Sequence, residues 1–436
     1  MINRTKYTIK EYDSFTKNPD VKLPNLHYMP EPIFDCLEQF VLSNRQVSDT
    51  DPLELMVVTS KRGIGKVISA RNYVGVITMN SGAQIEILPK LYSRNAESSE
   101  SETKQVFLKM LKSLLRMPFK HFNVSSLNQE KYSILDIFIR MFVEEAYNLV
   151  KRGLKSAYTE HEDNEYFYKG KLKFAEHIRL NAVHKERFYI EYDVFSADRS
   201  ENRLIKSTIK FLQKVCSSRK LQKDLYTLSA AFESVEFSTD YNQDFAKVTD
   251  DRNMSEYATI LQWCRVFLYR NSFTPFIGSG VAYALLFPME KVFESYLAGQ
   301  LKKNLAHPKY SLMTQHRLYH LYDEPGQRFL LKPDIVVTCA QGTVVLDTKW
   351  KMLTPDGNHG ISQSDMYQAY AYHKKYTAQT VILVYPWTTE VAEIKDPIIY
   401  RSKDGVSVQV YFVDLSEGSD GAGELSGLIE EALAGF

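Results

Sequence analysis

Two runs of β-branched residues dominate positions 329–351, which read FLLKPDIVVTCAQGTVVLDTKWK. Such runs, separated by Ala340-Gln341-Gly342, predict a β-hairpin. The hairpin fixes where its polar residues go. Side chains alternate across a strand, so Asp347 and Lys349 face the same way. Asp334 follows Pro333 on the neighbouring strand and converges on them. Asp347 closes the apolar run 343–346, which places it at a strand end, where clefts form. Two carboxylates and an ammonium at one spot are a poor choice for stability, because like charges repel and desolvation is costly. A divalent cation resolves the conflict. Carboxylate oxygens suit the hard ion Mg2+, which keeps several waters. One such water, with Lys349 beside it, can attack a phosphodiester while the metal offsets developing charge. Taken alone, the same triplet also describes a solvated ion pair on a strand edge.

Downstream, Ser364-Asp365-Met366-Tyr367-Gln368-Ala369-Tyr370-Ala371-Tyr372 reads as a helix. Asp365, Gln368 and Tyr372 are spaced i, i+3, i+7 and share one face. A polar and aromatic helix face beside acidic strand ends fits contact with phosphates and bases better than it fits a core.

These residues resemble the PD-(D/E)xK nuclease superfamily, including the Gln-x-x-x-Tyr helix motif of several branches, here Gln368 and Tyr372. The resemblance implies a small mixed sheet flanked by helices. It implies that Asp334 and Asp347 bind Mg2+ (or Mn2+), joined by the Thr348 backbone carbonyl, and that Lys349 positions the nucleophile. It further implies an acidic residue on a preceding helix. Met289-Glu290-Lys291-Val292-Phe293-Glu294 offers Glu294 for that role, with Glu290 as the alternative, although both are also ordinary helix formers. Gln368 completes the catalytic set.

A chain of 436 residues is long enough for two or three domains. The reading is an α+β or α/β multidomain protein: a β-rich N-terminal domain over 1–125, a mainly helical region over 126–280, and a mixed-sheet nuclease domain over 281–436. Strands are expected at 55–59, 67–69, 73–79, 84–88, 380–385 and 407–413, and a polar loop at 93–104. Helices are expected at 106–115, from 134 to about 151 with Ser133 and Asp136 as a capping pair, at 202–215 with Asp198 or Ser200 as cap, at 257–268, and at 424–433 after a loop at 416–423.

Net charge is only +1, so any nucleic-acid affinity rests on local basic clusters or on a partner. Cys36, Cys216, Cys264 and Cys339 lack metal or redox spacing and read as thiols of a reducing cytoplasm. No apolar stretch approaches a membrane span, and the polar N-terminus lacks a signal-peptide core. Lys61-Arg62-Gly63-Ile64-Gly65-Lys66 looks like a phosphate loop, but the glycine spacing is wrong and no Ser or Thr follows the lysine. It reads as a β-turn, and this chain is not expected to bind nucleotide itself.

Two basic stretches stand in the middle. Lys169, Lys171 and Lys173 line one edge of a strand or turn; Arg203, Lys206 and Lys210 line one helix face. Such spacing suits phosphate contacts, or simply a solvated, salt-bridged surface, which spacing alone favours.

The ordered set of segments is similar to the McrC family, the nuclease subunit of McrBC-type modification-dependent restriction systems. The matching pieces are Gly75-Val76-Ile77, Ile85-Glu86-Ile87-Leu88-Pro89-Lys90, Lys169-Gly170-Lys171-Leu172, Glu201-Asn202-Arg203, Phe293-Glu294-Ser295-Tyr296 and the nuclease motif. The resemblance implies a Mg2+-dependent endonuclease acting on double-stranded DNA. It implies a hexameric McrB-like AAA+ GTPase partner, stimulated by this chain and contacted through its N-terminal domain. Arg62, Lys66 and Arg71 are offered as partner contacts and read equally well as solubility charges. The alternatives are a non-catalytic adaptor and GTPase activator, or a standalone repair nuclease of the same superfamily.

Overall fold

In the computed structural model the apolar runs become strands of mixed sheets. The structure describes residues 5–21, 23–44, 55–90, 92–93, 96–97, 100–113, 132–248, 255–269, 281–353, 358–388, 391, 394, 398–416 and 418–434. Among them the chain is mixed α and β, with eleven helices. It divides into two compact units, one of Met1–Ile134 with Ser272–Phe436 and one of Leu135–Asn271. The stretches 1–125 and 281–436, read as separate domains, thus fall in one unit.

The reason lies in a strand the sequence reading did not separate out. Val281–Pro288 joins a four-stranded sheet in the order Lys6–Lys10, Gln84–Leu88, Tyr73–Met79, Val281–Pro288. The two inner strands are buried from end to end, as a sheet covered on both faces requires. Gly75 is needed at the new junction. It sits at φ +144°, and a Cβ there would lie 2.0 Å from the Leu285 carbonyl oxygen. Beside this sheet, the Glu31–Asn44 helix and a second four-stranded sheet share a core with Phe15, Phe34, Phe40 and Ile68. The phosphate-loop look-alike is the turn between strands Met56–Lys61 and Gly65–Ala70, as expected.

One expected boundary moves, and one helix start gains a distant partner. A helix at Glu100–Leu111 begins inside the stretch read as a loop. Glu100 and Glu102 fall in its first turn, where carboxylates complement the positive end of the helix dipole. The Ile134–Arg152 helix starts as expected, but Glu86 accepts its first N–H, from Ile134, at 2.6 Å. Asp136 also accepts from the Ser217 hydroxyl at 2.7 Å.

The second unit packs helices Ser200–Val215, Arg219–Ala231, Tyr241–Lys247 and Ser255–Leu268, and carries a three-stranded sheet of Ala157–Glu165, Phe188–Ser196 and Lys171–Leu172. Neither Asp198 nor Ser200 caps the first of these helices; its N-cap is Arg199, and Asp198 pairs with Arg203. Asn202 is fully buried and donates to the carbonyls of Lys155 and Ala197 while accepting from Tyr257. Gly170, at φ +69°, has no room for a Cβ, which would meet the Glu191 carbonyl at 2.2 Å.

The site rests on a six-stranded mixed sheet. Its order is Ser311–Thr314, Ile335–Cys339, Gly342–Thr348, Thr380–Pro386, Ser407–Val413, Ile398–Arg401. The expected hairpin is present, with Ile335 opposite Leu346 and Cys339 opposite Gly342. The helix Gln363–Tyr376 buries Ala369, Tyr372 and Tyr376 with Val345, Val381 and Leu383. The helices Met289–Asn304 and Gly421–Ala434 pack on each other and on the Gly342–Thr348 strand. No helix among the described residues is long and apolar enough to cross a membrane.

Candidate functional site

Hairpin register brings the polar residues together. Asp334 precedes the first strand of the hairpin and Asp347 lies one residue from the end of the second, so the two carboxylates meet at one sheet end. Asp334 Oδ2 accepts from both the backbone N–H and the hydroxyl of Thr348, each at 2.7 Å. Lys349 Nζ lies 2.6 Å from Asp347 Oδ2 and 3.7 Å from Asp365 Oδ1. It also donates to Gln368 Oε1 at 3.1 Å, and Gln368 Nε2 donates in turn to the Tyr372 hydroxyl at 2.7 Å. The helix face of Asp365, Gln368 and Tyr372 therefore meets the strand end, as the spacing predicts.

The structure separates the two glutamates. Glu294 accepts from Gln315 Nε2 at 2.6 Å, and the Gln315 N–H donates to the Asp334 carbonyl at 2.9 Å. Glu290 instead accepts from Asn72 Nδ2 at 3.3 Å, next to the N-terminal sheet. Three contributors carry no flag in the sequence reading. Lys351 was readable, because it continues the alternation of 347 and 349; it donates to both Asp365 oxygens at 3.2 and 2.9 Å. The Thr348 hydroxyl and Gln315 are placed by tertiary structure alone.

Electrostatics divides the acids into two kinds. Burial, with Asp334 as the next cause, pushes the Asp347 carboxyl up to about 7, although Lys349 pulls it down. Burial and then Glu294 push Asp334 up to about 6 against the Thr348 hydrogen bonds. Glu294 is raised as well, by burial and by Asp347. Asp365 goes the other way: burial would raise it, but hydrogen bonds from Ser362 and Lys351 hold it below the ordinary carboxylate range. Lys349 is held above its usual range because Asp347, Asp365 and Asp334 outweigh the effect of burial. Asp365 is thus a settled lysine partner, whereas Asp334 and Asp347 are short of positive charge.

No three His, Cys, Asp or Glu among the described residues gather tightly enough to enclose an ion by themselves. Mg2+ does not need such a cage; it binds through one or two carboxylates and keeps its waters. Asp334 and Asp347 fit that demand. Both offer hard oxygens, both have raised protonation, and the buried Asp347 Oδ2 accepts no hydrogen bond of regular geometry.

Five of the six basic residues in the two stretches are engaged internally, and Lys210 is exposed. Lys169 pairs with Glu165 at 3.2 Å and lies over the Tyr192 ring; Lys171 pairs with Glu191 at 3.7 Å; Lys173 pairs with Glu162 at 2.7 Å and Glu191 at 3.1 Å. Arg203 pairs with Asp198, and Lys206 donates to the carbonyls of Glu233 and Val235. Lys66 pairs with Glu38 at 2.7 Å. All four cysteines are free thiols.

Fold and site together describe a mixed α and β protein whose six-stranded sheet presents an Asp-Asp-Lys cluster at one end, against a Gln-Tyr helix. A family model described as McrBC 5-methylcytosine restriction system component matches residues 68–386, most of the chain and all of this site. The chain belongs to that family, and the resemblance drawn from its ordered motifs holds. Two solved structures share the fold. A chain of the refined half-complex from the tetradecameric assembly of Thermococcus gammatolerans McrB AAA+ hexamers with bound McrC superposes with a TM-score of 0.73. It does so over 98% of this chain and 100% of that one, at 19% identity. The cryo-EM structure of the Thermococcus gammatolerans McrBC complex matches 70% of this chain and 89% of that one, with a TM-score of 0.50 and 20% identity. No curated protein matches the sequence.

Proposed function

We propose that this chain is the Mg2+-dependent DNA endonuclease subunit of a modification-dependent restriction complex, built on a PD-(D/E)xK core, and that it stimulates a hexameric McrB-type AAA+ GTPase. The convergence of Asp334, Asp347 and Lys349 at one sheet end carries this reading. A Mg2+ ion bound there supplies an activated water and offsets charge on the scissile phosphate. Asp334 and Asp347 provide the oxygens that hold it, flanked by Glu294 and the Thr348 carbonyl. Thr348 orients Asp334 through two hydrogen bonds. Lys349, held protonated by its acidic neighbours, brings positive charge to the attacking oxygen. Gln368 fixes the ammonium and is itself fixed by Tyr372.

The partner follows from family membership and from the structural neighbours, in which McrC is bound to McrB hexamers. The look-alike phosphate loop here is a hairpin turn, which fits a division of labour in which the partner handles GTP. The β-rich N-terminal stretch is the proposed ring-contacting part. The test is Asp334→Ala with an McrB-type GTPase, GTP, Mg2+ and double-stranded DNA carrying 5-methylcytosine. Cleavage is expected to fall at least ~100-fold. Undiminished cleavage by the variant would move the site elsewhere, and GTP-independent nicking by the wild-type chain would favour the standalone repair nuclease.

A further inference from the structure

Trp350 stands one residue beyond Lys349, at the point where the site strand leaves the sheet. It is 3% exposed, and its ring meets that of Phe293 edge-on, with centroids 5.3 Å apart. Phe293 is the neighbour of Glu294. One indole therefore touches both segments that bring acids to the site. Its N–H points to Glu11, far away in sequence, and lies 3.1 and 3.0 Å from the two carboxyl oxygens. Glu11 is 0% exposed and is itself anchored: its N–H donates to the Leu88 carbonyl at 2.9 Å, and it accepts from the Lys90 N–H at 3.1 Å. Core packing alone does not require a fully buried carboxyl, because an apolar residue would fill the space without a desolvation cost.

We propose that Glu11 is a positioning residue for the metal site: it fixes Trp350, and Trp350 holds the Asp347-Thr348-Lys349 strand end and the Glu294 helix in register. Groups that orient metal ligands from behind commonly contribute 10–100-fold to metal affinity. The proposal rests on the reading of Asp334 and Asp347 as metal ligands. Burial pushes the Glu11 carboxyl up to about 8, although its hydrogen bonds to Trp350 and Lys90 pull it down. The group is therefore largely neutral near pH 7, and glutamine matches it in charge as well as in shape.

The test is a Mn2+ titration by calorimetry on the full-length chain and four variants. Glu11→Ala is expected to weaken Mn2+ binding ~10-fold, and Glu11→Gln, whose amide carbonyl still accepts the indole N–H, to stay within about twofold of wild type. Trp350→Phe keeps a ring against Phe293 but removes the N–H. It is expected to reproduce the loss, and Glu11→Ala added to it should cost nothing more. A folded Glu11→Ala variant with wild-type affinity overturns the proposal, as does a loss that glutamine fails to rescue. If Glu11→Ala does not fold, Trp350→Phe decides, and unchanged affinity there overturns the proposal too. A wild-type chain that binds no Mn2+ refutes the metal reading itself and this proposal with it, a result distinct from all the others.

Discussion

Unfolded Asp347 loses its proton around the ordinary carboxylate value of 3.8, whereas in the folded chain burial beside Asp334 lifts that value to about 7. Between those values the folded state binds the proton more tightly, so stability from this group falls as pH rises through the window and levels off above it. Metal-free Asp347→Asn is accordingly expected to be more stable than wild type at pH 8 by about 1–3 kcal/mol, with the gap shrinking towards pH 5. Urea melts in EDTA measure it, and a variant less stable at pH 8 would contradict the electrostatic picture. The same groups set the pH dependence of metal binding. Asp334 at about 6 and Asp347 at about 7 must both ionise, so Mn2+ affinity is expected to rise from pH 5.5 to 8 with proton release. Calorimetry in buffers of different ionisation enthalpy counts those protons. At this scale the sequence was informative where chemistry repeats every second residue: Asp347 and Lys349 could be paired without coordinates. The preference for Glu294 over Glu290 came from the motif resemblance and not from spacing, because residues four apart on a helix share a face. Only tertiary placement sends one to Asn72 and the other to Gln315.

Among elements, the helix carrying Gln368 depends on a local cap and the N-terminal sheet on a long-range fit. Ser362 Oγ accepts from the Asp365 N–H at 3.2 Å, so Ser362→Ala is expected to cost about 1 kcal/mol, read by chemical denaturation. Gly75→Ala forces a Cβ onto the Leu285 carbonyl and is expected to cost at least about 3 kcal/mol, because two backbones cannot move apart without breaking the sheet. A mild effect there would mean that the Tyr73–Met79 and Val281–Pro288 strands do not pair closely. Tyr73–Met79, Gln84–Leu88 and Ser407–Val413 were readable with the observed bounds, since short β-branched runs between turn residues leave few alternatives. Val281–Pro288 was not, because an apolar run beside a glycine-rich break carries no mark of its distant partner. The Glu31–Asn44 helix lies in a stretch expected to be β-rich, although Phe34, Leu37 and Val41 keep helical spacing, and the acidic start of Glu100–Leu111 has the composition of a loop.

For the molecule as a whole, net charge is close to neutral, and several lysines among the described residues, Lys169 and Lys173 included, pair with carboxylates of the same chain. That agrees with a subunit delivered to its substrate by a partner. Order of motifs along the chain was legible and placed it in its family. The joining of the first and last stretches in one unit was not, because it depends on strand pairing with no local signal. It gives the proposed division of tasks a physical form: the six-stranded sheet is carried on the same compact unit as the β-rich N-terminal stretch. The most direct measurement combines Asp347→Ala with an McrB-type GTPase, GTP, Mg2+ and methylated double-stranded DNA, reading DNA ends and phosphate release in the same reaction. Loss of cleavage with GTP hydrolysis still stimulated is the expected result. Continued cleavage at the wild-type rate would contradict the assignment of catalysis to this site.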